Sequence, residues 1–285
     1  MTILSFQSRV SYGCVGHGAA EFTLRRIGHE VCPVDTVRLS NHPGYGLCRG
    51  GAVAAEDIAD LTAGLDDIGV LARCRAVLTG YLGTVAAGDA ALAAWKRVRA
   101  QSPGSLYCCD PVMGDRSSGL YVGDDLVAFF REVALPAADM LLPNHFELET
   151  LSERSLPTLN DALSAAQALR NRGPALVCVT SLQVSELGRD LGSLLVNGEG
   201  AWLVATPQFD VDAKGAGDVF AALLLGRLLD GMEAAAALEL AVASTYAIVA
   251  ATVAAGSREL TLVAAQNALV APAQRFNARA IPDPP

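Results

Sequence analysis

The residues best suited to chemistry are Asp212-Ala213-Lys214-Gly215-Ala216-Gly217-Asp218, which run into the apolar stretch Val219-Phe220-Ala221-Ala222-Leu223-Leu224-Leu225. Two glycines around an alanine permit a tight turn with backbone N–H groups bare and close together. The apolar stretch reads as a buried helix, which sets those N–H groups at its positive end and makes an anion site. A carboxylate at Asp218 should repel the phosphate that such a site attracts. A base that must meet a phosphoryl group and a hydroxyl at one point would be placed this way. A plain glycine turn with an aspartate near the helix cap accounts for these residues as well, so the rest of the chain has to decide.

Asp110 and Asp115 flank Pro111-Val112-Met113-Gly114. Carboxylates beside a phosphate site suit magnesium, which takes oxygen ligands and keeps several waters; the competing reading is a pair of solvated loop acids. Asn144 and Glu147, three apart at a helix start, share one face, and the same spacing fits an N-cap with its N3 partner. His17 and His42 have no carboxylate or cysteine spacing for a metal and read as loop or packing residues. The cysteines at 14, 32, 48, 74, 108, 109 and 178 form no Cys-x-x-Cys pair, which suits reduced thiols and a cytoplasmic location. Cys108 and Cys109 read as strand interior. With no Gly-Lys dipeptide there is no Walker A loop. Gly13-Cys14-Val15-Gly16-His17-Gly18 has the wrong glycine order for a dinucleotide fingerprint.

The elements that must position these groups alternate. Ile3-Leu4-Ser5-Phe6 reads as a strand leaving through a polar loop at 7–13, followed by a helix over 15–27 stopped by Gly28. Further strands are expected at 31–37, 76–80, 106–109, 140–142 and 175–179, with helices at 86–100 and 159–170. Segments 191–196 and 201–204 read as a hairpin around Asn197-Gly198, helices fill the rest, and 277–285 reads as a loose tail. Short apolar strands alternating with helices predict an α/β fold with a mostly parallel sheet covered on both faces. Ligands collect outside the C-terminal strand ends of such sheets, where Ser8, Tyr81, Asp110, Asn144 with Glu147, and Thr180 fall. The turn-rich segment 38–51 suits a flap, and the whole of 1–285 reads as one domain. A composition of 52% apolar and 18% charged residues predicts a large core, and a net charge of −9 argues against nucleic acid as the main partner. The alanine-rich stretch 234–256, interrupted by Glu239, fits a helix packed on the sheet better than a membrane span, and the N-terminus carries no signal-like run.

Together these pieces resemble a known family. Asp-x-x-Gly-Ala-Gly-Asp before an apolar helix, with Asn-x-x-Glu after an earlier strand, is similar to the ribokinase-like kinases. Gln7-Ser8-x-Val10, Val15-Gly16 with Ala19-Ala20, Ser40-Asn41-His42, Gly80-Tyr81, Cys109-Asp110-Pro111-Val112-Met113-Gly114-Asp115, Pro143-Asn144 and Val179-Thr180-Ser181 resemble the pyridoxal kinases. The likeness runs from about residue 3 to 270. It implies a ribokinase-like fold and ATP-dependent phosphorylation of the 5′-hydroxymethyl group of pyridoxal, with pyridoxine and pyridoxamine as further acceptors. Carried over, Asp218 would be the base, and the N–H groups of Gly215, Ala216, Gly217 and Asp218 the anion hole. Asp110, Asp115 and Glu147 would hold magnesium (Mg2+), and Asn144, Thr180 and Ser181 would belong to the ATP site. Ser8 and Val10 would line the pyridine pocket, with Tyr81 facing the ring and Pro43 in the flap over it. The resemblance also implies a homodimer and a use for potassium (K+).

Some positions depart from the family pattern: Pro43 in place of a threonine, His17 in place of an asparagine, and Lys214 before the glycine turn. Two other readings stand beside the first. A hydroxymethylpyrimidine kinase shares the base and the turn, but Gln7-Ser8-Arg9-Val10 and Ser40-Asn41-His42 speak against it. A non-catalytic binder of pyridoxal phosphate or nucleotide would not need Asp218.

Overall fold

The computed structural model describes residues 1–211 and 213–282. Asp212 of the glycine-turn motif and residues 283–285 of the expected tail lie outside the described residues. The chain runs β1 (Thr2–Tyr12), α1 (His17–Arg26), β2 (Glu30–Asn41), β3 (Gly50–Ala52), α2 (Ala55–Asp67), β4 (Cys74–Thr79) and α3 (Val85–Gln101). It continues through β5 (Leu106–Cys109), β6 (Gly114–Asp115), β7 (Gly119–Leu120), α4 (Asp124–Phe129), α5 (Leu135–Ala137), β8 (Met140–Leu141), α6 (His145–Ser152) and α7 (Leu159–Arg170). The last part is β9 (Leu176–Leu182), β10 (Asp190–Asn197), β11 (Gly200–Pro207), α8 (Ala216–Leu229), α9 (Ala234–Ala254) and β12 (Arg279–Ile281).

Among the described residues, one ten-stranded sheet has the order β12-β11-β10-β9-β8-β5-β4-β1-β2-β3. The six strands from β9 to β2 run parallel, and antiparallel strands close both edges. This is the mostly parallel sheet expected of the ribokinase-like fold. Because side chains alternate across a strand, both faces of these apolar strands are buried. Val77, Cys109, Val177 and Val179 join the core beneath α2, α3, α4, α6 and α7. Their neighbours Ala76, Leu78, Cys108 and Cys178 join the core beneath α1, α8 and α9. Helix α9 is long and apolar enough to cross a membrane, but it packs on α8, β10 and β11, as a core helix should.

Three expectations need correction. Residues 7–12 are not a loop: β1 continues through them, paired with β2 across a register shift between Gln7 and Arg9. The polar side chains there are carried on a strand whose backbone hydrogen bonds are already met, which composition alone cannot distinguish from a loop. The tail is not loose over its described part, since Ala201 pairs with Ile281, Trp202 with Ala280 and Leu203 with Arg279; burial of Ile281 anchors that short edge strand. Helices do not fill the remainder, because 257–278 is mostly turn with a single 3-10 segment, Gln266–Leu269.

Candidate active site

The strand order brings the expected residues into line. Strands β1, β4, β5, β8 and β9 are consecutive neighbours, and Ser8, Tyr81, Asp110, Asn144 and Thr180 lie on them or just past their C-terminal ends. The ladder carries on past the strands to fix them: Gly80 N–H donates to Phe6, Asp110 N–H to Thr79, and Thr180 N–H to Pro143. Asn144 itself forms a parallel bridge to Thr180. Ser8 and Val10 are buried. Tyr81 is half-buried, and its ring lies 6.3 Å from that of Tyr121. Ser181 is exposed, with a left-handed backbone at φ 51°.

At the far side of this edge, α8 begins at Ala216, so Asp218 is in its first turn. Gly215 caps the helix at φ 88°, and a Cβ there would lie 1.9 Å from the Cys14 carbonyl oxygen. Only glycine fits that position. Ala216 N–H already donates to Ala213, so it is not available to the anion hole expected of it. Among the described residues, the N–H groups of Gly217 and Asp218 have no partner; they are the bare helix-start donors that attract anions.

Asp218 is held from the opposite helix. Gly16 N–H, at the cap of α1, donates to Asp218 Oδ2 at 2.9 Å. Gly16 has φ 54° and lies so close to Ser8 that a Cβ would come within 2.4 Å of its Oγ. Ser8, Gly16 and Asp218 are therefore packed in sequence across β1, α1 and α8. Burial lifts the Asp218 carboxyl to about 6, against the opposing pull of the Gly16 N–H and the nearby His17. His17 is buried, with Nδ1 2.9 Å from Asp35 Oδ1 and Nε2 3.2 Å from the Ser5 carbonyl oxygen. It is the packing residue the sequence suggested, and it pins the start of α1 to the sheet.

The acids expected to hold magnesium are not arranged as a cage. Among the described residues, no three His, Cys, Asp or Glu side chains gather closely enough to hold a metal ion. Glu147 makes the capping box: Asn144 Oδ1 accepts from Glu147 N–H at 2.9 Å, and Glu147 Oε2 accepts from Asn144 N–H at 2.8 Å. Its Oε1 takes Met113 N–H at 2.9 Å. Burial outweighs these donors and lifts Glu147 to about 8. Asp115 is turned toward its own loop, accepting from the Ser117 and Ser118 N–H groups, and toward Lys214, whose Nζ lies 2.9 Å from its Oδ2. Despite partial burial, those contacts hold it well below the usual carboxylate range.

Asp110 differs from both. It is buried, and its carboxylate meets no hydrogen-bond donor among the described residues. Burial first, then Glu147 and Asp218, hold its carboxyl well above the usual range. A buried carboxylate crowded by two others is stabilised in its charged form by a nearby cation. Magnesium needs only one or two protein carboxylates when phosphates supply the rest, so Asp110, supported by Glu147, fits the ion, and Asp115 fits as the anchor of Lys214.

Several participants were not found by sequence reading. Tyr121, just after β7, has its hydroxyl held protonated by lost hydration and then by Glu147, Asp110, Asp115 and Asp218. Tyr121 is itself partly exposed, and its ring packs at 6.3 Å from that of Tyr81. Lys214 stood out only as a departure, and its reach to Asp115 joins two loops 99 residues apart. No local signal marks either role. The flap is the β2–β3 hairpin with the turn Pro43–Tyr45 at its tip. Pro43, expected over the substrate, is exposed there, whereas Tyr45 points back to the body of the chain. A cavity of about 580 Å³ opens at the starts of β1 and β2, at the opposite end of the sheet from these acids.

The family model described as phosphomethylpyrimidine kinase matches residues 57–262. The chain is 47% identical to the pyridoxal kinase PdxY of Rubrobacter xylanophilus, over 99% of this chain and 98% of that one. It is 45% identical to the pyridoxal kinase PdxY of Granulibacter bethesdensis, over 98% and 99%. A solved structure of pyridoxal kinase from Leishmania donovani in complex with ADP superimposes with a TM-score of 0.92 at 29% identity, covering 99% of both chains. With the same Leishmania kinase bound to ADP and pyridoxine the score is again 0.92. Full-length likeness at this identity, on a sheet edge that carries Asp218, the bare N–H groups and the buried Asp110, places the chain in the pyridoxal kinase family.

Proposed function

We propose that the chain transfers the γ-phosphoryl group of ATP to the 5′-hydroxymethyl oxygen of pyridoxal, and of pyridoxine and pyridoxamine, acting in the cytoplasm as a homodimer. The observation that carries this reading is Asp218 beside two unpartnered N–H groups at the start of α8. Asp218 Oδ1 or Oδ2 accepts the hydroxyl proton as the oxygen attacks, while the Gly217 and Asp218 N–H groups receive the phosphoryl oxygens. Asn144, Thr180 and Ser181 line the nucleotide side. Ser8, Val10 and Tyr81, joined by Tyr121, form the acceptor side, and the flap shuts out water. Magnesium, held at Asp110 with Glu147 behind it, would offset charge on the phosphates; potassium would serve the same anionic region.

The family model's description, phosphomethylpyrimidine kinase, supports a methylpyrimidine as a second acceptor class. An assay of ATP consumption with pyridoxal, with hydroxymethylpyrimidine and with no acceptor separates the readings. Consumption is expected with pyridoxal at many times either other rate. Equal rates in all three would leave only a nucleotide hydrolase.

Two substitutions test parts of this scheme. Asp110→Asn is expected to raise the magnesium concentration for half-maximal rate at least tenfold, the effect of losing roughly 1.4 kcal/mol of ion binding, with KM for pyridoxal little changed. Glu147→Gln should shift the magnesium requirement less, because its oxygens face backbone donors. Superimposable magnesium titrations for Asp110→Asn and wild type would remove Asp110 from the ion site. Pro43→Thr is expected to raise KM for pyridoxal by about two- to fivefold, through a looser turn worth about 0.4–1 kcal/mol, and to leave KM for ATP unchanged. A lower KM for pyridoxal would show instead that a hydroxyl is missing at this position.

A further inference from the structure

The tip of the flap is tied to the turn that holds the base, through one carboxylate. Tyr45 OH donates to Glu259 Oε1 at 2.7 Å, and Cys14 N–H donates to Glu259 Oε2 at 2.9 Å. Cys14 in turn presses its carbonyl against Gly215, the cap of α8, and two residues on Gly16 N–H holds Asp218. Glu259 is itself fixed: Ser257 Oγ donates to its carbonyl oxygen at 2.6 Å, and the next residue, Leu260, is buried in the core beside Gly215. The flap side of the tie is reinforced by Arg258, whose Cζ lies 3.8 Å from the centre of the Tyr45 ring and which also donates to the Gly44 carbonyl. Tyr12, at the end of β1, meets the same ring edge-on at 6.0 Å.

We infer that Glu259 is a positioning residue that couples the flap to the catalytic turn, so that closure over the acceptor and alignment of Asp218 occur together. The inference rests on the kinase reading above. A carboxylate with one oxygen on each partner is suited to this, because release of Tyr45 frees one oxygen and lets the side chain shift on the Cys14 N–H. Charge-assisted bonds of this kind are stronger than neutral ones, and among the described residues neither partner has another acceptor at these atoms. A structural tie alone would have no reason to join the one segment that must open for substrate to the one turn that must not move during transfer. In reaction terms, an open flap would leave the base loosely held, which suppresses phosphoryl transfer to water.

Hydrogen exchange of the ligand-free protein tests the coupling without turnover. Tyr45→Phe keeps the ring stacked and removes only the hydroxyl. Faster exchange is expected at 40–51 and, across the tie, at the Cys14 amide. Glu259→Ala should speed both further, and Glu259→Gln, with an acceptor for Cys14 and a donor for the Tyr45 oxygen, should stay near wild type. In steady state, Tyr45→Phe is expected to raise KM for pyridoxal several-fold. Glu259→Ala is expected to do so and also to lower kcat roughly tenfold. Added to Glu259→Ala, Tyr45→Phe should have little further effect. The inference is overturned by an unchanged Cys14 amide in Tyr45→Phe, by effects that multiply in the double variant, or by a Glu259→Ala protein that loses Tm but keeps KM and kcat. A wild type that turns over no pyridoxal would instead sink the kinase reading, while the exchange result still decides the coupling.

Discussion

Asp218→Asn is expected to lower kcat about 10²–10⁴-fold, the usual range for loss of a general base, with KM for ATP little changed. Asparagine keeps the shape and still accepts the Gly16 N–H bond that the carboxylate takes at 2.9 Å. It cannot take a proton. The wild type should show the base directly in its pH profile. Burial raises the Asp218 carboxyl to about 6, so the group is protonated below that pH and ionised above it. Only the ionised form accepts the hydroxyl proton, so kcat should rise as pH increases through about 6 and level off near neutrality. In Asp218→Asn that limb should vanish. Near wild-type turnover in the variant would reduce Asp218 to a helix-capping group.

Gly215→Ala should be nearly as damaging by a different route. The residue sits at φ 88°, and the new methyl would meet the Cys14 carbonyl oxygen at 1.9 Å, a contact with backbone that no rotamer can relieve. The turn must therefore move, and with it the N–H groups of Gly217 and Asp218. Misplacing reacting groups by about 1 Å can cost about 10²-fold in rate, so a loss of kcat of at least that size is expected. Positive φ adds roughly 1 kcal/mol of strain, which should appear as a lower Tm. Gly217→Ala is the control for the helix itself, because a Cβ there meets nothing within 4 Å. It should fold as well as wild type. Equal kcat for Gly215→Ala and Gly217→Ala would show that the turn's geometry is not what the reaction uses.

The sequence was most legible where local patterns carry global meaning. The short apolar runs between Ile3 and Val179 lie in strands with both faces buried along those runs, and that pattern implied the parallel sheet and which end of it holds ligands. Asp218 and its glycines could be found because a turn of that kind leaves N–H groups with few other uses. Legibility failed where a side chain's partner is distant in sequence. Glu147 and Asn144 do form the cap their spacing allows, yet that spacing could not show that Met113 would take the other oxygen. Asp115 looked equivalent to Asp110, and spacing could not show that Lys214, reaching across from the glycine turn, pairs with it. The polar run 7–12 looked like loop because composition does not reveal that β2 pairs with it. Glu259 carried no motif at all; its place is set by the end of α9 and by burial of Leu260.

The central claim, that this sheet edge moves phosphate from ATP to the 5′-oxygen of a vitamin B6 alcohol, is tested most directly by following γ-labelled ATP into product. With purified wild-type protein, magnesium and pyridoxal, the label is expected in pyridoxal 5′-phosphate, one label per ATP consumed, and in little else. Asp218→Asn under the same conditions should form that product at least about 10²-fold more slowly. Label recovered only as inorganic phosphate, or passed to hydroxymethylpyrimidine in preference to pyridoxal, would contradict the account.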